Sequence, residues 1–327
     1  MSNQLSQEVA ALLDKVKALK IEVHKIIIGQ EEVVEQMIVA LLAGGHILVE
    51  GMPGLAKTLM IKTVAQAIDL DFKRIQFTPD LMPTDILGTE VIEEDESGKK
   101  SFKYNKGPIF SNIVLADEIN RTPPKTQAAL LEVMQEYSVT YGGTAYPMQR
   151  PFFILATQNP VEQSGTFPLP EAQVDRFLLY VLIDYPKEQE EIAVLKQTTG
   201  KKPAAPNPVM TGEEIIRLQE LTREVHIEDE LIGKVSQIVR MSRPKNSTSE
   251  KVKKYVDFGA GPRAGQSVIL AAKAHALLQG RYAVTPEDLR KMIFPAVRHR
   301  LMLNFRAESE GITPDEIIAA LIKLGNL

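Results

Sequence analysis

Apolar residues change their rhythm several times along the chain, and each change marks an element. Val9, Leu12, Leu13, Val16 and Leu19 recur at the i, i+3, i+4, i+7 spacing of one helical face, so the first twenty residues predict an amphipathic helix packed on the adjoining domain. Ile26-Ile27-Ile28 breaks at Gly29-Gln30, and a second helix is predicted from about Glu31 to Ala43. The short apolar run His46 to Val49 leads into Gly51-Met52-Pro53-Gly54-Leu55-Ala56-Lys57-Thr58, after which helical spacing resumes through Leu59 to Ala67. Arg74 to Phe77, Asn112 to Ala116, Phe152 to Thr157 and Phe177 to Ile183 are compact runs of the buried-strand type. Two hairpin candidates lie among them. One joins Thr89 to Ile92 with Ser101 to Tyr104 around a charged turn containing Ser97-Gly98, a segment that also reads as an acidic surface loop; the other is Ser138 to Met148, folded about Gly142-Gly143.

From Lys187 onward the strand-like runs disappear. Lys201 to Pro208 is a proline-rich linker, and helices are predicted over Gly212 to Glu224, Asp229 to Met241, Arg263 to Gln279, Pro286 to Arg300 and Pro314 to Leu324. Thr285-Pro286-Glu287-Asp288 and Thr313-Pro314-Asp315-Glu316 both place threonine at an N-cap, proline at the first helical position and acids in the first turn. The chain thus divides into an α/β unit, residues 1–186, and a linker with an all-α unit, residues 187–327.

Composition narrows the chemistry. With 327 residues, 44% hydrophobic and 24% charged, the chain has the balance of a globular protein with a large core. A formal charge of -4 gives no global reason to bind nucleic acid or an anionic membrane. The absence of cysteine removes disulfides, thiolate zinc sites and a cysteine nucleophile. The N-terminus lacks the basic end and apolar run of a signal peptide, and no apolar run reaches membrane-spanning length, so the expected address is the cytoplasm.

The segment Gly51 to Thr58 has the composition of a phosphate-binding loop between a strand and a helix: backbone N–H groups and the positive end of the helix meet phosphate oxygens. Lys57 then reaches the β and γ phosphates, the Thr58 hydroxyl ligates Mg²⁺, and Leu59 completes the stretch expected to touch nucleotide. Ala56 stands where the strict pattern has glycine, and fits if its φ is negative. Mg²⁺ prefers oxygen ligands, so the site needs a carboxylate on a neighbouring strand; Asp117 supplies it, and Glu118 is placed to act on the attacking water. Asn159, at the end of the next strand, either bonds the water or γ-phosphate or serves as a turn residue before Pro160. Arg176 either salt-bridges locally or neutralises a phosphate held by another subunit. Arg263, at a glycine-rich helix start where a cation is disfavoured, suggests an external anion.

In order and content these motifs resemble the AAA+ ATPases, and within them the MoxR family, over nearly the whole length. The resemblance is carried by Gly51 to Thr58, Ala116-Asp117-Glu118-Ile119-Asn120-Arg121, Ala156-Thr157-Gln158-Asn159-Pro160, Pro168 to Phe177, Gly261-Pro262-Arg263-Ala264 and Val297-Arg298-His299-Arg300-Leu301. It implies a three-layer αβα P-loop core with a parallel sheet and β-hairpin insertions, followed by a helical lid. It also implies ATP with Mg²⁺, a hexameric ring, and chaperone-like work on a client complex, often beside a protein with a von Willebrand factor A domain. By the same resemblance Ile28, Gly29 and Gln30 lie near the adenine, Asn159 is the sensor 1 residue and Arg176 the arginine finger. Arg263 is then the sensor 2 arginine, which the helical domain would swing onto the γ-phosphate so that nucleotide closes the crevice between the two domains, while Arg176 would lie at the far edge of the sheet from the phosphate loop. A nucleic-acid motor and a nucleotide-gated binding module are the competing classes; the charge balance speaks against the first and Glu118 against the second.

Overall fold

The computed structural model describes residues 3–94, 100–160, 165–201 and 204–327. The Ser97-Gly98 turn and Lys202-Pro203 of the linker lie outside the described residues. Helices α1 (Asn3–His24) and α2 (Glu31–Leu42) precede strand β1 (Ile47–Gly51), and α3 (Lys57–Ala67) leads to β2 (Phe72–Gln76). A short α4 (Pro83–Leu87) opens the hairpin β3 (Gly88–Glu94) and β4 (Lys100–Lys106). Then come β5 (Ile113–Asp117), α5 (Pro124–Glu136), the hairpin β6 (Ser138–Tyr141) and β7 (Thr144–Pro147), β8 (Phe153–Gln158), α6 (Glu171–Val174) and β9 (Leu179–Ile183).

The five core strands form one parallel sheet in the order β2-β5-β8-β1-β9. Side chains alternate between its faces. Ile47 and Val49 of β1 join Leu115, Leu155 and Val181 beneath α1, α2 and α3, while Leu48, Val114, Ile154 and Ala156 pack with Leu130, Leu131 and Met134 of α5. His46 fixes the entry to β1: its buried ring accepts from the Ile154 N–H at 3.0 Å and donates to the Met134 carbonyl at 3.2 Å. Burial pushes its pKa down to about 4, so the ring is neutral, as an imidazole that accepts a hydrogen bond must be.

The two hairpins stand on each other. Gly142 and Gly143 have φ of 56° and 80°, the positive values a two-residue hairpin turn requires. Tyr104 of β4 lies 5.0 Å from the Tyr141 ring and 4.5 Å from the Tyr146 ring, joining the β3–β4 hairpin to the β6–β7 hairpin. Beyond this stack the cross-strand pair Ile92 and Phe102 is exposed.

The rest is mostly helical: α7 (Glu188–Thr199), α8 (Gly212–Glu224), α9 (Asp229–Met241), α10 (Glu250–Tyr255), α11 (Pro262–Leu278), α12 (Pro286–Val297), α13 (Phe305–Glu310) and α14 (Pro314–Leu324). The expectation that strands vanish after Lys187 is corrected by β10 (Val256–Phe258) and β11 (Met302–Leu303), an antiparallel pair too short to show an alternating pattern. Both threonines stand at N-caps, but they close them differently: the Thr313 hydroxyl accepts from the Glu316 N–H, whereas at Thr285 the Asp288 carboxylate reaches back and accepts from the Thr285 N–H at 2.7 Å. These helices are not a detached body. One apolar cluster runs from Val9 and Leu19 of α1 through Met37 and Leu41 of α2 to Leu277, Ile293 and Leu321.

A polar latch crosses the same interface. His275 of α11 lies between Asp288 of α12, 2.5 Å from Nδ1, and Glu35 of α2, 3.2 Å from Nε2 at ion-pair distance; Arg281 and Lys20 pair with the two carboxylates from outside. Burial alone would lower the His275 pKa, but the two carboxylates outweigh it and raise it above 6.5. Glu35 is held down at about 2, chiefly by the neighbouring His275. A raised histidine pKa stabilises the fold fully below the unfolded value near 6.5 and loses that contribution as pH climbs through the folded one. Thermal melting should therefore show stability declining above pH 6.5 in the wild type, and His275→Gln, about 3 kcal/mol weaker at pH 6 because a buried pair is broken, should be flat over that window. An unchanged wild-type slope in His275→Gln would assign the titration elsewhere.

Candidate nucleotide site

Parallel register brings the ends of three neighbouring strands together. Glu50 of β1 lies opposite Gln158 of β8, and Ala116 of β5 opposite Ala156, so Gly51, Asp117 and Asn159 all emerge at the carboxyl edge, where a crevice forms in open parallel sheets. Gly51 ends β1, Gly54 turns at φ 86°, and α3 begins at Lys57. The Lys57 ammonium donates to the Gly51 carbonyl at 2.6 Å and the Met52 carbonyl at 3.3 Å, holding the loop around itself. Burial lowers its pKa, while the charges of Asp117, Glu118 and Glu50 act in the opposite sense.

Ala56 departs from the expectation of a negative φ. Its φ is 56°, in the left-handed region, so the missing glycine is a real strain at the mouth of α3 and not a neutral replacement. Gln30 (φ 56°) and Glu118 (φ 57°) adopt the same conformation, so three junctions of the expected site carry non-glycine residues with left-handed backbone.

The acid pair is held by its neighbours. Asp117 Oδ1 accepts from the Thr157 hydroxyl at 2.6 Å, and Oδ2 accepts from Arg74 Nε at 2.9 Å and Nη2 at 2.7 Å. Glu118 Oε2 accepts from Gln76 Nε2 at 2.8 Å and from Arg121 Nη1 at 3.0 Å. Thr157, Arg74 and Gln76 were given no role from the sequence. The available signal was the period of two in β2, which puts Arg74 and Gln76 on the face that looks toward Asp117. Asn159 is buried at the end of β8.

Among the described residues no group of three or more His, Cys, Asp or Glu could hold a metal alone. The Thr58 hydroxyl and Asp117 carboxylate nevertheless make an all-oxygen donor pair, which fits a hard cation such as Mg²⁺ that takes its remaining ligands from phosphate and water.

Gln30 donates to the Asp184 carbonyl at 2.8 Å, and with Ile28 and Gly29 it borders the start of α7, where a Cβ at Gly29 would fall 2.7 Å from the Glu190 carboxyl carbon. A cleft of about 620 Å³ opens there, lined in part by Gln30, Leu182, Tyr185, Lys187 and Arg298.

Two of the expected site residues are elsewhere. Asp175 and Arg176 precede β9, and the Leu178 N–H donates to the His46 carbonyl ahead of β1, so both lie at the amino ends of the strands. β9 is the edge strand next to β1, and Arg176 is separated from the phosphate loop along the strands, by about 15 Å for a five-residue strand. Its guanidinium donates to the Leu131 carbonyl at 3.1 Å. Arg263 shares that cleft, with its guanidinium 3.5 Å from Asp175, which Arg300 also holds at 2.7 Å. Arg263, expected to swing onto the γ-phosphate, thus stands at the end of the sheet away from the loop, where α11 starts.

Residues 46–179 match the family described as ATPase family associated with various cellular activities (AAA), and residues 249–321 match the AAA lid domain. Over 303 residues the chain is 44% identical to Chaperone MoxR1 of Mycobacterium tuberculosis, covering 92% of this chain and 79% of that one. It belongs to the MoxR family of AAA ATPases. The chain is also 41% identical over 301 residues to the uncharacterized protein YeaC of Bacillus subtilis, 92% of this chain and 91% of that protein. A crystal structure from Cytophaga hutchinsonii, described as that of a candidate ATPase, superposes with a TM-score of 0.90 at 39% identity, covering 98% of this chain and 97% of that one. The αβα core with a helical lid is thus the fold of the family.

The strain at Ala56 is open to measurement in this MoxR-family loop. Ala56→Gly removes the Cβ that disfavours left-handed backbone and should raise stability by about 1 kcal/mol in urea unfolding. A destabilised Ala56→Gly would mean that the alanine is not strained there.

Proposed function

We propose that this chain binds ATP at the carboxyl edge of the sheet and hydrolyses it within a homo-oligomeric ring, probing and remodelling a client protein complex. The observation that carries this reading is the convergence of Lys57, Thr58, Asp117, Glu118 and Asn159 on one edge, with Arg176 and Arg263 turned to the opposite end. In this reading residues 1–186 form the nucleotide-binding unit and residues 187–327 the linker and lid.

Each group has a role that comes from its place. Backbone N–H groups of the loop and the start of α3 meet the phosphates, and Lys57 meets the β and γ charges. Thr58 and Asp117 hold Mg²⁺, which when bound supplies charge neutralisation on those phosphates. Glu118 accepts the proton of the attacking water once its bonds to Gln76 and Arg121 loosen. Asn159 orients that water or the γ-phosphate. Ile28, Gly29 and Gln30 take the adenine against Asp184 and α7. Arg176 and Arg263 cannot serve their own site across the length of the sheet, so a neighbouring subunit receives them, and a monomer is incomplete.

The client work extends to this chain what the name Chaperone MoxR1 says of that relative. A hexamer, a partner carrying a von Willebrand factor A domain and a cytoplasmic address complete the reading. No described helix is long and apolar enough to cross a membrane.

Lys57→Ala should abolish nucleotide binding, whereas Glu118→Gln should bind ATP normally and lose about 10²- to 10⁴-fold in turnover, the range of general-base catalysis. Near-normal hydrolysis by Glu118→Gln would remove it from the mechanism. For the subunit interface, ATPase activity per chain should climb with protein concentration across the assembly range found by sedimentation, and Arg176→Ala should bind ATP yet lose about 10³-fold or more, as for other trans arginines. Activity independent of concentration, with Arg176→Ala as active as wild type, would reject a shared site.

A further inference from the structure

An ion pair with no role assigned so far lies on the sheet's edge strand. Arg74 of β2 directs two N–H groups at a single oxygen, Asp117 Oδ2, at 2.9 and 2.7 Å. A carboxylate oxygen offers about two lone-pair directions, so this one is saturated, while Oδ1 already accepts from the buried Thr157 hydroxyl at 2.6 Å. The ammonium of Lys57 is the other cation electrostatically coupled to this carboxylate. The guanidinium also contacts the Gln76 side-chain oxygen, on the same face of the strand.

We propose that Arg74 and a divalent cation compete for the Asp117 carboxylate, so that Arg74 is a positioning residue that sets how much cation the site requires. The inference rests on the reading of Asp117 as a cation ligand under Proposed function. Three features support competition over permanent neutralisation. A cation gains a free lone pair on Oδ2 only when an Arg74 N–H leaves it, and the guanidinium charge repels a second positive charge at short range. The two partners are unequally fixed: the Asp117 side chain is 11% exposed and cannot retreat, whereas Arg74, 47% exposed on an edge strand, can turn into water. With one partner open to water, the pair is screened on the Arg74 side, which is the side that gives way. Lys73, the next residue, points to the other side of the strand and takes no part.

The experiment measures metal binding and not turnover. Mn²⁺ is titrated into the full chain in the presence of ADP, and bound ion is read by electron paramagnetic resonance. Arg74→Gln should bind Mn²⁺ about two- to fivefold more tightly than wild type, the displacement free energy of a half-exposed pair. Arg74→Met, uncharged and similar in length, should do the same and guards against a misfolded glutamine variant. Arg74→Lys retains the charge and should stay close to wild type, as should Lys73→Gln, which removes an equal charge from the opposite face. Affinity in both uncharged Arg74 variants that equals wild type or falls below it would overturn the competition, provided Asp117→Asn weakens Mn²⁺ binding. Mn²⁺ affinity unaltered in Asp117→Asn would instead overturn the reading of Asp117 as a ligand, and the competition with it.

Discussion

The structure depends on β1 being paired on both sides. Only a strand flanked by β8 and β9 and covered on both faces can hold Ile47, Leu48 and Val49 fully out of water, and only then does its carboxyl end have a fixed place. The phosphate loop inherits its position from that burial. His46 at one end and Gly51 at the other bracket a strand whose geometry leaves little freedom, so the loop begins where backbone pairing stops. Everything acidic or polar at the site is then referred to β1 through register alone: Asp117 through β5 and β8, Asn159 through β8, and Asp184 through β9.

That arrangement separates two electrostatic tasks. At the carboxyl edge Asp117, Glu118 and Glu50 are met by Lys57, Arg74 and Arg121, so the acids of the site are matched by bases, two of them in direct ion pairs. At the amino end Arg176, Arg263 and Arg300 share one cleft with Asp175. Arg300 is buried and spends its donors on Asp175 and the Phe177 carbonyl, so it is structural; Arg263, half-exposed and 3.5 Å from its partner, is not committed in that way. The MoxR-family chain thus carries paired charge at one end of a short sheet and surplus arginine at the other.

Much of this was legible in the sequence, for reasons that can be named. Five strands, their order of appearance, both hairpins and the helices Gly212–Glu224, Asp229–Met241 and Pro314–Leu324 emerge from periodicity and from threonine and proline punctuation. What failed was information that does not lie in periodicity. The φ of Ala56 is imposed by the turn from β1 into α3, and a helix-forming residue gives no local warning of it. The place of Arg263 depends on how α11 docks against α2 and α9, a tertiary choice that a motif of four residues does not contain. The partners of the acid pair were hidden because Arg74 and Gln76 sit on a strand far from Asp117 in sequence, where only register brings them close. Helices α10 and α13, six residues each, are too short for any apolar period to stand out.

The aromatic stack between the hairpins has a mechanical meaning. Because Tyr104 is clasped by Tyr141 and Tyr146, the β3–β4 and β6–β7 hairpins form a single lever, and a load applied at the exposed Ile92 and Phe102 is borne by both roots. One root returns through Gly107 to β5 and the Asp117-Glu118 pair; the other runs into β8 and Thr157. The Thr157 hydroxyl is bonded to Asp117, so the two roots meet again at one carboxylate and close a mechanical loop. Two of the lever's four chain ends thus lead to the strands that carry the acids, and the other two run into α4 and α5.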